Sequence, residues 1–327
     1  MLDPLLAVKG LRLSFKTERG DLLLFHGLDL EIGKGEVLGV VGESGSGKTT
    51  LAYAIVRVLP SNAKIEGGSI TLAGRELTGL TERKMREVRG RDMTMVFQDP
   101  STALNPAFRV KDQMLKVIKA NAGIEGNEAR VLAMGMLKSA ELPDPASVMQ
   151  SFPYELSGGM QQRVMIAMAL TSNPKLVIAD EPTSAVDATI QVQILKLIER
   201  LRRERGFSVL LITHSIAVAR EVSDRIAVMY AGDVVEEGDA RKVVDSPKHP
   251  YTQGLVMSIP APRGRNEGKT QLNTVPGEVP DLTEPPSGCR FHPRCPYVMD
   301  VCRKSMPGYR RAGDSMALCY LYEGSGS

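Results

Sequence analysis

Eight residues constrain this chain more than any others. Gly42-Glu43-Ser44-Gly45-Ser46-Gly47-Lys48-Thr49 follow a compact apolar run, Glu36 to Val41, and lead into a helix-forming stretch, Thr49 to Leu59, that cannot continue past Pro60. The pattern G-x-x-x-x-G-K-[ST] between a strand and a helix is a phosphate loop. Glycines let backbone N–H groups close around phosphate oxygens, and the helix N-terminus adds its partial positive charge. Lys48 neutralises the β and γ phosphates, and the Thr49 hydroxyl coordinates Mg²⁺. The expected nucleotide contacts are Gly42, Ser44, Gly45, Ser46, Gly47, Lys48, Thr49 and Thr50. A chance glycine-rich turn is the alternative, and the strand and helix on either side count against it.

The rest of the chain supplies a frame for such a loop. Lys175 to Ala179, Ser208 to Ile212 and Arg225 to Tyr230 are β-type runs separated by helical stretches, Asp187 to Arg205 and Ser215 to Val222. That alternation predicts a parallel sheet with crossover helices. Leu11, Leu13 and Phe15, then Leu28, Leu30 and Ile32, alternate as half-buried antiparallel strands do. Gly68 to Gly74 and Met93 to Phe97 read as further strands, and Val110 to Ser151, rich in Met, Leu, Ala and Lys, reads as a helical insertion. The main domain is expected to end near Ser246. Beyond Ile259 eight prolines between Pro260 and Pro296 predict an extended, turn-rich segment. The Gly-Ser alternation at Gly324 to Ser327 reads as a cloning scar.

Two more segments carry chemistry. Leu176-Val177-Ile178-Ala179-Asp180-Glu181 is a buried-type strand ending in two acids, at the strand end where ligands sit in an open α/β sheet. Asp180 there completes a Mg²⁺ shell through water, and Glu181 polarises the attacking water; both acids capping the turn at Pro182 is the alternative. Ser157-Gly158-Gly159 before a helical run make a second anion-binding helix start. One nucleotide does not need two, so this one is expected to serve a nucleotide on another subunit, unless Ser157 is an N-cap and nothing more.

These motifs in this order resemble the nucleotide-binding subunits of ATP-binding cassette (ABC) transporters, over roughly Leu6 to Ser246. Leu156 to Gln161 matches the family signature LSGGQ with Met160 in place of Gln. The resemblance implies that Gln98 contacts Mg²⁺ and the attacking water, that Ser184-Ala185-Val186-Asp187 is the D-loop, that His214 contacts the γ-phosphate, and that Phe15 stacks on adenine. Gln98 to Pro106 and His249-Pro250-Tyr251-Thr252 further resemble the ATPases of dipeptide, oligopeptide and nickel importers. By that resemblance the fold is an α/β P-loop ATPase with a parallel core sheet, an antiparallel β subdomain, a helical subdomain near 100–165 and a C-terminal metal-binding tail, divided as 1–246 and 247–327. Its implied partners are a second, non-identical ATPase subunit packed head to tail, two membrane permease subunits and an extracytoplasmic binding protein. The membrane subunit's coupling helix would rest beside Gln98 to Pro106, placing the chain on the cytoplasmic face of the membrane.

The four cysteines, Cys289-x₅-Cys295-x₆-Cys302-x₁₆-Cys319, suggest a metal-stapled tail. Zinc sites usually show tighter pairs, and all-thiolate iron-sulfur sites vary more in spacing. Some ATPases of this branch carry a [4Fe-4S] cluster at such a set, so the resemblance favours the cluster, with zinc as the alternative; His292 is left off the ligand set.

Composition excludes other classes. The 327 residues suit about two domains. Their 43% hydrophobic and 24% charged content suits a globular protein. A net charge of +3 is too small to suggest nucleic acid. No apolar run approaches the roughly 20 residues that span a bilayer, and no leader sequence is expected at the N-terminus. A soluble ABC protein acting on ribosomes or DNA ends is the competing function, and a metal module with a regulatory cassette is a third; one phosphate loop disfavours the former, and Glu181 with His214 the latter. Nickel and oligosaccharide uptake remain alternatives to peptide uptake. Lys48→Ala is expected to abolish nucleotide binding, because no backbone group replaces its charge at the phosphates; direct titration with ATP checks this, and retained affinity contradicts it.

Overall fold

The structure is a computed structural model that describes residues 3–184, 186–259 and 275–323. Ala185 of the expected D-loop, Pro260, Pro262 and the Gly-Ser terminus lie outside the described residues.

The chain opens with β1 (Leu6–Thr17) and β2 (Gly20–Ile32), paired antiparallel from Leu6 opposite Ile32 to Thr17 opposite Gly20. Their alternating leucines point one way, and Leu11, Leu13, Leu28 and Leu30 are all buried. β3 (Val37–Val41) is buried at every position, as a central strand must be. The phosphate loop and α1 (Lys48–Val56) follow; the helix stops at Arg57, whose φ of 54° is left-handed. β4 (Ala63–Leu72) and β5 (Arg75–Glu76) complete a four-stranded antiparallel sheet of order β2-β1-β4-β5.

After α2 (Glu82–Val88) and β6 (Met93–Val96) the chain enters the helical region: α3 (Pro100–Ala103), α4 (Val110–Ala122), α5 (Gly126–Ser139), α6 (Pro145–Gln150) and α7 (Gly158–Ala169). The predicted insertion is thus three helices, with Met114, Ile118, Ala133, Leu137 and, from α7, Val164 in one apolar cluster. β7 (Leu176–Asp180), α8 (Ala188–Arg205), β8 (Ser208–Thr213), α9 (Ile216–Val222) and β9 (Arg225–Tyr230) supply the crossovers, and β10 (Asp233–Asp239), α10 (Ala240–Asp245) and α11 (Pro250–Met257) follow.

The expected parallel core is present as five strands of a larger sheet. The large sheet is mixed and eight-stranded. Strands β9-β3-β8-β7-β6 are parallel. Its other edge is antiparallel, formed by β10 and by a hairpin from the tail, β11 (Tyr309–Ala312) and β12 (Ser315–Leu318), with Glu236 opposite Ala317. The proline-rich approach to this hairpin hides it in the sequence, because four-residue strands leave too little alternation to read.

The tail is also anchored by a buried cation. The Arg290 side chain is 5% exposed. Its guanidinium donates to the carbonyls of Leu24 (2.9 Å), Leu23 (3.0 Å) and Ala231, tying β2 to the β9–β10 turn. Beside it Tyr230, Tyr251 and Phe291 form an aromatic cluster with ring centroids 4.7–5.5 Å apart. Replacing Arg290 by Met removes charge-assisted bonds and leaves buried carbonyls unpaired, so Arg290→Met is expected to destabilise the protein by about 2–4 kcal/mol. Denaturant unfolding monitors this, and an unchanged midpoint contradicts it.

Candidate active site

The carboxyl ends of the parallel strands carry the candidate site. The phosphate loop leaves β3, Asp180 ends β7 with Glu181 next, and His214 follows β8. Between these segments lies an open cavity of about 450 Å³ lined by Leu24, Ser44, Gly45, Gly47, Lys48, Thr49, Thr50, Gln98, Glu181 and His214. Gly42 and the buried Ser46 and Asp180 are not part of that wall.

Lys48 is folded onto its own loop, Nζ donating to the carbonyls of Gly42 at 2.8 Å and Glu43 at 2.9 Å. Burial lowers its proton affinity, and the nearby Glu181, Asp180 and Glu43 oppose that shift. Burial pushes the Asp180 carboxyl the other way, upward, against the hydrogen bond it accepts from Thr49 Oγ1 at 3.2 Å. A hydroxyl and a carboxylate in contact are hard oxygen donors of the kind Mg²⁺ takes, so the residues fit that ion.

Glu181 is held in the left-handed region, φ 45°, where non-glycine residues are uncommon. Its N–H donates to the Ile212 carbonyl at 2.9 Å, which fixes the turn against β8. The carboxylate then meets two partners at one oxygen: Gln98 Nε2 donates to Oε2 at 3.2 Å, and His214 Nδ1 lies 3.4 Å from it. Glu181, read from its strand end, and Gln98 and His214, named by the resemblance, therefore converge.

Others stand apart. Ser157 and Gly158 are exposed, and with Gly159 they are absent from the cavity wall. Ser157 caps α7, Oγ accepting from the Met160 N–H at 3.4 Å. Gly159 has little room for a side chain, since an added Cβ would lie 2.9 Å from Ile190 Cγ2. Met160, where the signature has Gln, is half-buried against the helical core. Asp187 caps α8, accepting from the N–H groups of Thr189 and Ile190 at 3.0 Å. Phe15 packs half-buried on the core and does not line the cavity; Leu24 does, a contact for which the sequence offers only strand alternation. Beside Gln98 an apolar groove of about 310 Å³ includes Val58, Met95, Phe97, Leu104, Met165 and Met168.

In the tail all four cysteines are free and line one small cavity of about 20 Å³. Burial pushes the Cys289 thiol up to about 12 and raises those of Cys295 and Cys319 as well. Thiolates there need a compensating cation. Among the described residues, no group of three or more His, Cys, Asp or Glu side chains is set to hold a metal ion. The expected tail metal site is therefore not seen as a formed ligand set.

Comparison with known proteins adds the following. Residues 25–184 match the family described as ABC transporter, and residues 235–302 match the family described as oligopeptide/dipeptide transporter, C-terminal region. The oligopeptide transport ATP-binding protein OppD of Escherichia coli is 44% identical over 305 residues, covering 93% of this chain and 89% of that protein. The probable D,D-dipeptide transport ATP-binding protein DdpD of the same organism is 41% identical over 320 residues, covering 98% and 96%. Among solved structures, the dimeric ATP-binding cassette MJ0796 bound to ADP and Pi aligns with TM-score 0.64 and 30% identity, over 72% of this chain and 99% of that one.

Proposed function

The chain belongs to the ABC transporter family, and from that membership we propose the reading its geometry supports best: an ATP-binding and ATP-hydrolysing subunit that powers import of oligopeptides or dipeptides. Relatives named for oligopeptide and D,D-dipeptide transport align over almost the whole chain, the tail included. The observation that carries the hydrolytic reading is the meeting of Gln98, Glu181 and His214 at one carboxylate oxygen on the wall of the phosphate-loop cavity.

In this reading Lys48 and the loop N–H groups bind the triphosphate. Mg²⁺, held by Thr49 and Asp180 with Gln98 alongside, would offset phosphate charge when bound. Glu181 accepts a hydrogen bond from the attacking water. As the water oxygen bonds to the γ-phosphorus, the bond to the β–γ bridging oxygen breaks and ADP leaves. His214 holds the γ-phosphate, and its contact with Glu181 sets the carboxylate's direction. Phe15 of β1, partly exposed opposite Leu22 of β2, is our candidate for stacking on adenine.

Ser157 and Gly158 are exposed at the start of α7, with Gly159 next to them, which supports a composite site in which the three close on a nucleotide held by a second, non-identical ATPase subunit, with Asp187 near that junction. ATP would then favour the closed pair, because only closure lets those groups reach its γ-phosphate. The groove beside Gln98 suits a coupling helix from one of two permease subunits, working with a binding protein outside the membrane. Among the described residues no helix is long and apolar enough to cross a membrane, and we place the subunit peripherally on the cytoplasmic face. The units we assign are 1–246, the ATPase with its helical region near 100–165, and 247–327. Glu181→Gln is expected to bind ATP, accumulate the closed dimer and turn over at least about tenfold more slowly. Wild-type turnover in the assembled transporter would overturn the assignment.

For Cys289, Cys295, Cys302 and Cys319 we propose a bound inorganic group, a [4Fe-4S] cluster in preference to zinc. Four undisulfided thiols around one cavity support it. The cysteine spacing lacks the tight pairs usual in zinc sites, and this favours the cluster. When bound, the group would compensate the buried thiolates and cross-link the tail. Anaerobically purified protein is expected to be brown, with broad absorption near about 400 nm and about four irons per chain. One tightly held zinc in colourless protein overturns the cluster, and four free thiols in a metal-free ordered tail overturn both.

A further inference from the structure

The phosphate loop is gripped from behind by two residues that do not line the nucleotide cavity. Glu43, the second residue of the loop, donates its backbone N–H to the Tyr251 hydroxyl at 2.8 Å. Its carboxylate receives both arms of the Arg294 guanidinium, Nη1 to Oε2 at 2.7 Å and Nη2 to Oε1 at 3.0 Å. Tyr251 belongs to the His249-Pro250-Tyr251 stretch that starts α11, and Arg294 immediately precedes Cys295. Neither is part of the ATPase machinery described above.

Arg294 is fully committed to this position. Its side chain is 5% exposed and that of Glu43 29%. Nε donates to the Pro276 carbonyl at 2.7 Å, and Nη2 also to Val275 at 3.0 Å. The guanidinium carbon lies 5.7 Å from the centre of the Tyr230 ring. A bidentate arginine–carboxylate pair with this little freedom has a fixed geometry, unlike an exposed ion pair.

A carboxylate inside a loop that must hold a polyphosphate is an electrostatic liability. The Glu43 charge is felt at Lys48, where it is one of the three carboxylates opposing the loss of proton affinity caused by burial. Left unpaired, it would repel the triphosphate through a medium far less screening than bulk water.

We propose that Arg294 is a positioning residue for nucleotide binding: it holds the Glu43 carboxylate and cancels its charge, while Tyr251 holds the backbone of the same residue. The proposal rests on the reading of this loop as the ATP site. It assigns to the C-terminal segment a direct part in setting nucleotide affinity.

The test is equilibrium binding of a fluorescent ATP analogue with Mg²⁺ to the full-length protein and to Arg294→Met, Arg294→Lys, Glu43→Gln and the Arg294→Met/Glu43→Gln double variant. Thermal midpoints without nucleotide keep folding defects separate. Arg294→Met is expected to weaken binding roughly five- to twentyfold, the scale of one uncompensated charge near the phosphates. KM should rise in parallel while kcat at saturating ATP stays within about twofold, as for loss of uniform binding. Arg294→Lys should recover part of the loss, and the double variant should return to within about threefold of wild type, since it carries neither charge. Undiminished binding by Arg294→Met overturns the proposal. So does a loss that Glu43→Gln fails to rescue, which would make Arg294 a mere structural prop. Absence of binding by the wild-type protein would overturn the nucleotide reading itself, and this inference with it.

Discussion

Three backbones press together beneath the nucleotide site, and most of the molecule's architecture depends on that contact. A Cβ on Gly42 would lie 2.1 Å from the Met229 carbonyl of β9, and one on Gly232 would lie 2.0 Å from the Leu24 carbonyl of β2. The Gly232 N–H donates to Ser46 O at 2.9 Å. Phosphate loop, β9–β10 turn and β2 thus meet without intervening side chains, which only glycine allows. The large sheet, the small antiparallel sheet and the loop are consequently registered to one another at one point. Arg290, reaching in from the tail to the Leu23, Leu24 and Ala231 carbonyls, closes it.

That junction explains how a short loop can be buried at Gly42, Ser46 and Lys48 and still be receptive. Lys48 and Asp180 sit where burial disfavours charge on either, and each is partly compensated by the other and by neighbouring groups. In the proposed reading such a site would gain from a magnesium-bound polyphosphate, because the lysine could exchange carbonyl partners of its own loop for phosphate oxygens. The left-handed turn at Glu181 belongs to the same economy: backbone strain at one residue aims the carboxylate toward Gln98 and His214.

Legibility in the sequence followed locality. The loop, the acidic strand end and the histidine after β8 each announce themselves within a few residues, and so do the buried strands β3, β7 and β8. The helical insertion was readable as helical, though not its division into α4, α5 and α6. What escaped depends on distant partners. Leu24 reaches the cavity wall only because β2 crosses the loop, and β11 and β12 become strands only because β10 offers an open edge. Ser157 reads as part of an anion-binding helix start and Asp187 as a D-loop residue by resemblance, while within one chain each is occupied as a helix cap. The antiparallel edge that β10, β11 and β12 add to the parallel core is the largest feature that local pattern could not supply.

The pair between Glu43 and Arg294 spans 251 residues of sequence. On the ribosome, the amino-terminal half of the chain is complete long before its partner segment emerges, and closing so long a loop is slow and late. The cassette therefore passes a period of synthesis with its phosphate loop unclamped and an unpaired carboxylate in it. The clamp can form only once Arg294 has been made, so a chain truncated before Arg294 carries the phosphate loop, the strand-end acids and the histidine but lacks the pair behind them.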